Sequence, residues 1–155
     1  MRFSKRSLLT LLLWFASAAG MAQSDTILIG QSVPLSGSNR EFGQEIRDGA
    51  LAYFKKLNDA GGVGGRRIEM LTLDDGNDTK VAAENGRKLI EERGVLALFG
   101  YASATLSRPA MPFAEKSRTP FLFPFTGADP MRVFNRVLFN LFCSVGVLAK
   151  QENIN

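Results

Sequence analysis

Residues 26–33 read TILIGQSV and are followed by Pro34. The run is nearly continuous in apolar side chains, which is typical of a strand buried on both faces of a parallel sheet. Beyond the next loop, apolar residues recur at helical spacing, and charged residues occupy the other faces. These apolar positions are Ile46, Ala50, Tyr53, Phe54 and Leu57. They predict an amphipathic helix of about four turns that ends at Gly61 and Gly62, because glycine commonly caps a helix C-terminus.

The same alternation of buried strand and amphipathic helix continues along the chain. Three further strands are predicted at residues 67–75 (RIEMLTLDD), 95–99 (VLALF) and 120–123 (PFLF). A helix capped by Asn77 or Asp78 is expected to run to about Arg93. Pro109 and Pro112 interrupt the helical pattern that precedes the last strand. The order β-α-β-α-β-α-β predicts an α/β fold, a parallel sheet with right-handed crossover helices.

The first 22 residues have the pattern of a secretory signal peptide. Arg2, Lys5 and Arg6 form a basic start, and residues 7–19 (SLLTLLLWFASAA) form an apolar core that is too short for an ordinary membrane span. We expect cleavage before Gln23, which places the mature chain in the periplasm. The alternative is an uncleaved N-terminal anchor.

The net charge of the whole chain is +4, which by itself would suggest a nucleic acid or an acidic membrane surface. The signal segment carries three of the 19 Lys and Arg residues and none of the 15 Asp and Glu residues. The mature chain therefore has 16 basic and 15 acidic residues, a net charge of +1. We accordingly expect no nucleic-acid partner.

Histidine is absent from the sequence, and Cys143 is the single cysteine. Histidine-dependent catalytic triads and His-ligated zinc or haem sites cannot be built from this chain alone. A lone cysteine cannot form an intrachain disulfide in an oxidising compartment. The composition thus favours binding over catalysis, with no catalytic residue, metal ligand or cofactor expected.

Three loops are candidates for a binding site, because ligands of open α/β sheets bind at the carboxyl ends of the strands. They are residues 34–43 (PLSGSNREFG), 100–107 (GYASATLS) and 124–129 (PFTGAD). Their backbone amides could hold a carboxylate together with the hydroxyls of Ser103, Thr105 and Thr126. Their aromatic residues, Phe42, Tyr101 and Phe125, could line an apolar part of the ligand. The alternative is that all of these are ordinary turn residues.

Two further motifs favour a structural interpretation. Asp74 and Asp75 form an acidic pair of the kind that holds Mg²⁺ in phosphoryl-transfer domains, but export separates this chain from cytosolic ATP. A solvated strand end, or a contact with the next helix, is the favoured role. Residues 61–65 (GGVGG) follow a helix and precede a strand, which is the reverse of a dinucleotide-binding loop and predicts a helix-to-strand turn.

Several motifs of this sequence occur together in one family. They are PLSG at 34–37 with FG at 42–43, GGVGGRRIE at 61–69, LDDGND at 73–78, FGY at 99–101 and PFTGAD at 124–129. From Ile27 to about Asn140 the chain resembles the extracytoplasmic substrate-binding proteins of ABC transporters for branched-chain amino acids, which have the type I periplasmic-binding-protein fold. The resemblance implies two α/β lobes that close on an amino acid or a related small carboxylate. It also implies ABC permease membrane subunits as partners and no cofactor.

The resemblance also implies a set of ligand-binding residues. They are Phe42 after the first strand, Ser103, Ala104 and Thr105 after the third, and Phe125, Thr126 and Gly127 after the fourth. Ala104 stands where this type of protein commonly has a hydroxyl residue. A backbone hydrogen bond survives that change and a side-chain hydrogen bond does not, so the expected ligands extend to aromatic acids and other carboxylates.

The resemblance divides the chain into three segments. Residues 1–22 are a signal peptide, residues 23–141 are part of an N-terminal lobe, and residues 142–155 (FCSVGVLAKQENIN) are a divergent tail. Because the family pattern is lost in the tail, we expect a frameshifted or prematurely ended product whose half-site binds weakly.

The same residues bear on other function classes. A ligand-sensing subunit that feeds a regulator has the same fold and is retained as an alternative, as is a non-functional fragment. An exported enzyme would need a nucleophile and a base, which the three loops do not offer. A receiver-like phosphoacceptor would need its acidic pair near the first strand, whereas Asp74 and Asp75 end the second.

Overall fold

The computed structural model describes residues 26–128, 131 and 135–140. The predicted signal peptide and the divergent tail lie outside the described residues. No helix within the described ranges is long and apolar enough to cross a membrane.

Strands and helices alternate along the chain as the sequence predicts. The elements are β1 (Thr26–Val33), α1 (Arg40–Asp59), β2 (Arg67–Asp74), α2 (Thr79–Arg87), a π-helical turn (Lys88–Glu92), β3 (Ala97–Phe99), α3 (Ala104–Ser107), a 3₁₀ turn (Arg108–Ala110), α4 (Met111–Ser117), β4 (Phe121–Leu122) and β5 (Leu138–Phe139). The strands form one sheet in the order β2-β1-β3-β4-β5, and every neighbouring pair is parallel. The prediction of a parallel α/β sheet is confirmed.

Glycine ends α1 where the sequence predicts. The N–H of Gly62 donates to the carbonyl of Leu57 at 2.9 Å, and Gly62 has a φ of +75°. A side chain there would meet the carbonyl oxygen of Arg66 at 2.1 Å. The GGVGG segment is therefore a helix-to-strand turn that leads into β2, as predicted.

The sheet is covered by α1 on one face and by α2, α3 and α4 on the other. Leu98 and Phe99 are adjacent in β3 and point to opposite faces. Leu98 packs with Leu89 and Phe121, whereas Phe99 packs with Phe54 of α1. Because β1, β3 and β4 are parallel neighbours, the loops that follow them lie together at one edge of the sheet.

The two prolines before β4 divide the predicted helix into three short pieces. Pro109 lies in the 3₁₀ turn and Pro112 lies at the start of α4, where its missing N–H costs little. β5 was not predicted. It has two residues, too few for an apolar pattern, and it forms by parallel pairing of Phe121 with Leu138.

Candidate functional site

Two aromatic residues from different loops meet at the carboxyl edge of the sheet. The rings of Phe42, which begins α1, and Phe125, which follows β4, lie edge to face with centroids 5.2 Å apart. Both side chains keep a large exposed surface, 40% for Phe42 and 48% for Phe125. Exposed aromatic rings that contact each other at this edge form a wall against which an apolar group can pack.

Gly43 fixes the position of Phe42. The first turn of α1 rests directly on the end of β1, so that a Cβ atom at Gly43 would lie 1.9 Å from the carbonyl oxygen of Pro34. Only glycine permits this approach. The PLSG and FG motifs therefore act together, because the first supplies the strand end and the second supplies the helix start that packs on it.

Ser103 begins α3 and caps it. Its Oγ accepts a hydrogen bond from the N–H of Leu106 at 3.2 Å, and its carbonyl accepts from the hydroxyl of Ser107 at 2.6 Å. A capping hydroxyl still has a proton to donate. The cap leaves the backbone N–H groups of Ala104 and Thr105 at the start of α3 without an acceptor among the described residues.

The loop after β4 is tied to the loop after β3. The N–H of Phe125 donates to the carbonyl of Tyr101 at 2.8 Å. The N–H of Thr126 donates to the carbonyl of Pro124, and the hydroxyl of Thr126 accepts from the N–H of Ala128 at 3.1 Å. Thr126 therefore has only its hydroxyl proton to offer a ligand, while no described group accepts the N–H of Gly127.

Tyr101 does not line this site, and that expectation from the sequence was wrong. Its side chain is fully buried in the core on the α2–α4 side, with its ring 4.7 Å from the ring of Phe121. Burial, and secondarily the charge of Asp75, raises the pKa of the Tyr101 hydroxyl far above its usual value. No described group hydrogen-bonds to that hydroxyl. The residue stabilises the core below the loops.

The acidic pair after β2 has a structural role, as favoured from the sequence. Oδ1 of Asp74 accepts from the N–H groups of Leu35 and Gly76, each at 2.8 Å, and so braces the loop after β1. Burial acts to raise the pKa of Asp74, but hydrogen bonds from Ser36, Leu35 and Gly76 hold it below its usual value. Among the described residues no cluster of acidic side chains is suited to a metal ion.

Asp75 is buried, whereas the adjacent Asp74 is exposed. Its carboxylate accepts from the hydroxyl of Ser32 and from the N–H of Asn77, both at 2.9 Å. The side chain of Asn85 donates to Ser32 at 3.1 Å and completes the network. Burial raises the pKa of Asp75, and the charges of Asp74 and Asp78 add to this effect.

A cleft of about 480 Å³ adjoins the loops after β3 and β4. It contains Ala104 and Thr105 from the expected ligand-binding set and Ala128 from the candidate loop at 124–129, and it adds Thr79, Arg108 and Pro109, which sequence reasoning missed. Arg108 could have been found by its spacing. It lies three residues after Thr105 and four after Ala104, positions that share a helical face.

Comparisons with known proteins agree on one family. A family model described as "Periplasmic binding protein" matches residues 26–143. The Leu/Ile/Val-binding protein homolog 1 of Brucella abortus is 30% identical over 127 residues, which cover 82% of this chain and 33% of the relative. The leucine-, isoleucine-, valine-, threonine-, and alanine-binding protein of Pseudomonas aeruginosa is 30% identical over 124 residues, 80% of this chain and 32% of the relative.

A solved structure shows the same likeness. The branched-chain amino acid transporter substrate binding protein LivJ of Streptococcus pneumoniae, in complex with isoleucine, superposes with a TM-score of 0.72 and 28% identity over 77% of this chain and 34% of the other. The chain thus spans about one third of the length of the relatives it matches.

Proposed function

The chain belongs to the periplasmic binding protein family, and from that membership we propose that it supplies one wall of the ligand site in the solute-binding component of an ABC transporter. The ligand would be an amino acid or a related small carboxylate. The partners would be the ABC permease membrane subunits, and the location would be the periplasm, reached by means of the predicted signal peptide. No covalent chemistry is required of such a component.

The observation that carries this proposal is the pairing of an apolar wall with free hydrogen-bond donors. Phe42 and Phe125 supply the wall, at 5.2 Å between ring centroids. The N–H groups of Ala104, Thr105 and Gly127 have no acceptor among the described residues. A small carboxylate with an apolar or aromatic body matches both features, because its oxygens accept hydrogen bonds and its body packs on the rings.

In this proposal binding is completed by closure of a second lobe. Residues 23–141 would form part of the first lobe, and their relatives are about three times as long as the matched region. Hinge closure around a ligand is a common mechanism in periplasmic binding proteins, and the closed form is the one that would dock on the permease. A single lobe offers only part of the ligand's contacts, and the second lobe would supply the rest.

Ala104 bears on the choice of ligand. It is half-buried at the start of α3 and has no hydroxyl, so only its backbone N–H can contact a carboxylate. We therefore propose that ligands held by backbone donors, aromatic acids included, are bound at least as well as leucine.

Calorimetric titration tests the proposed function. The purified chain would be titrated with leucine, isoleucine, valine and benzoate, alongside the variants Phe42→Ala and Tyr53→Ala. We expect Phe42→Ala to weaken binding roughly tenfold, because about 1–2 kcal/mol of apolar contact is lost. Tyr53 is 60% exposed on α1 and lies outside the site, so Tyr53→Ala is the matched control and should bind normally. Binding that is equally unaffected by both substitutions would contradict the proposal.

A further inference from the structure

The cleft beside the loops after β3 and β4 is lined by an arginine, a charge that is not needed to bind the carboxylate already held by backbone N–H groups. Its lining residues are Thr79, Ala104, Thr105, Arg108, Pro109 and Ala128. Among these described lining residues there is one cation, Arg108, and no acid. The cleft joins the start of α2 to the ligand-binding loops, so a group that enters it would extend from a ligand already held at Ala104 and Thr105.

Arg108 has no partner within the described part of the chain. Its side chain is exposed, and no described carboxylate or carbonyl accepts from its guanidinium. Arg87 is a contrast on the preceding helix, where it pairs with Glu84 and Glu92 at 2.7 Å and with Glu91 at 3.2 Å. Arg87 is thus surrounded by acids that share its helical segment, whereas the described lining of the cleft at Arg108 contains no acid.

Two hydroxyls accompany Arg108 in the cleft. Neither Thr79, which starts α2, nor Thr105 hydrogen-bonds to another described residue through its side chain. Thr105 precedes Arg108 by one helical turn, and Thr79 lines the same cleft, so all three side chains can donate to a group bound there. A planar guanidinium with neighbouring hydroxyl donors suits a carboxylate, which it can bind through two parallel hydrogen bonds.

We propose that Arg108, together with Thr79 and Thr105, binds a second carboxylate of the ligand, so that this chain selects small dicarboxylates over ligands with one carboxylate. The inference rests on the proposed function, which provides the first carboxylate contacts and the aromatic wall. Arg108 provides the charge that distinguishes the two ligand classes, and the hydroxyls orient the second anionic group.

Paired ligands of equal shape test the inference. Terephthalate would be compared with 4-methylbenzoate, and L-glutamate with L-glutamine, by calorimetric titration of the purified chain at low salt. We expect the better dicarboxylate to bind roughly tenfold more tightly than its partner, the effect of a charge-assisted hydrogen bond at a solvent-accessible site. The preference should shrink at high salt.

Substitutions at Arg108 test whether this residue causes the preference for dicarboxylates. Arg108→Gln should bring the ratio of dicarboxylate affinity to monocarboxylate affinity to about one, and Arg108→Lys should keep part of the preference, because the charge remains but the fork geometry is lost. Arg93→Gln is the control, since Arg93 is an exposed arginine that precedes β3 and therefore lies at the opposite edge of the sheet. It should preserve the full ratio.

The outcomes separate this inference from the proposed function. The inference is overturned if both members of each pair bind equally, or if the preference persists in Arg108→Gln. In either case, binding of the monocarboxylates still supports the proposed function. Failure of every compound to bind overturns both. Asp129 follows Ala128 and lies outside the described residues. If Asp129→Asn and Arg108→Gln lower the melting temperature equally and leave the ligand ratio unchanged, Arg108 is an ion-pair residue and the inference is wrong.

Discussion

The loop after β2 and the loops after β1, β3 and β4 meet at the same edge of the sheet, but they use their hydrogen-bonding groups differently. Asp74 accepts from Leu35 and Gly76 across two loops, and Asp75 is buried in a network with Ser32 and Asn85. The other loops leave backbone donors and two aromatic rings exposed to solvent. A loop whose polar groups are satisfied internally stabilises the edge, and a loop with donors left over can bind a ligand.

The largest expected effect comes from Gly43, where the first turn of α1 packs closely on Pro34 at the end of β1. Gly43→Ala places a methyl group 1.9 Å from the carbonyl oxygen of Pro34, so α1 must shift away from the strand end. We expect a loss of about 2–4 kcal/mol in the free energy of unfolding. Displacement of Phe42 should also weaken ligand binding.

Gly49→Ala is the control for that prediction. Gly49 lies in the same helix, and a Cβ atom there would meet no atom within 4 Å. The substitution should stabilise the chain by about 0.5–1 kcal/mol, since alanine is the better helix former. Urea unfolding of both variants measures the two effects. Similar stability changes with the same sign would show that contact with Pro34 is not what restricts position 43.

The sequence predicts the sheet better than the direction of its loop side chains. The apolar run at 26–33 and the helical spacing after it are local patterns, and both describe the structure correctly. Tyr101, Phe42 and Phe125 look alike in sequence, each an aromatic residue among small and hydroxyl residues. Tyr101 is buried because its backbone is tied to Phe125 and its ring packs on Phe121, contacts with residues 20 or more positions away.

The candidate site shows the same division between local and distant information. The cap formed by Ser103 and the spacing of Arg108 follow from one short segment and are accessible to sequence reasoning. The cleft that brings Thr79 to Arg108 is not, because it depends on the packing of α2 against the turn that follows α3. The ligand role of the expected residues stays a prediction.

A smaller effect is expected from removing the buried acid of the loop after β2. Asp75→Ala deprives the hydroxyl of Ser32 and the N–H of Asn77 of their acceptor. Unsatisfied buried groups of this kind cost about 1–3 kcal/mol. Ligand affinity of the folded molecules should be unchanged, because the network faces the interior. Weakened binding in the absence of a stability loss would place Asp75 in the ligand site and remove the distinction between the loops.

Asp59→Ala serves as the matched control for Asp75→Ala. Asp59 is an exposed aspartate that pairs with Lys55 at 2.6 Å at the end of α1. Exposed ion pairs of this type contribute less than about 1 kcal/mol. Chemical unfolding should therefore separate the two variants clearly.

The smallest expected effect is the pH dependence that Asp75 contributes. Its pKa is raised in the folded state, so the folded chain binds a proton more readily than the unfolded chain between the ordinary aspartate pKa of 3.8 and the raised pKa. Stability from this group therefore increases as the pH falls through that window, and it is constant below it.

Asp75→Asn cannot titrate. The melting temperature of the wild type should rise relative to that of Asp75→Asn as the pH is lowered from 7 to about 4, a range that approaches the ordinary aspartate pKa from above. Asp74 has the opposite shift and should act in the opposite direction; it is present in both proteins, so its own contribution cancels apart from its charge repulsion with Asp75, which the variant removes. A difference that is independent of pH, or that changes in favour of the variant on acidification, would show that the carboxylate of Asp75 is not destabilised by burial.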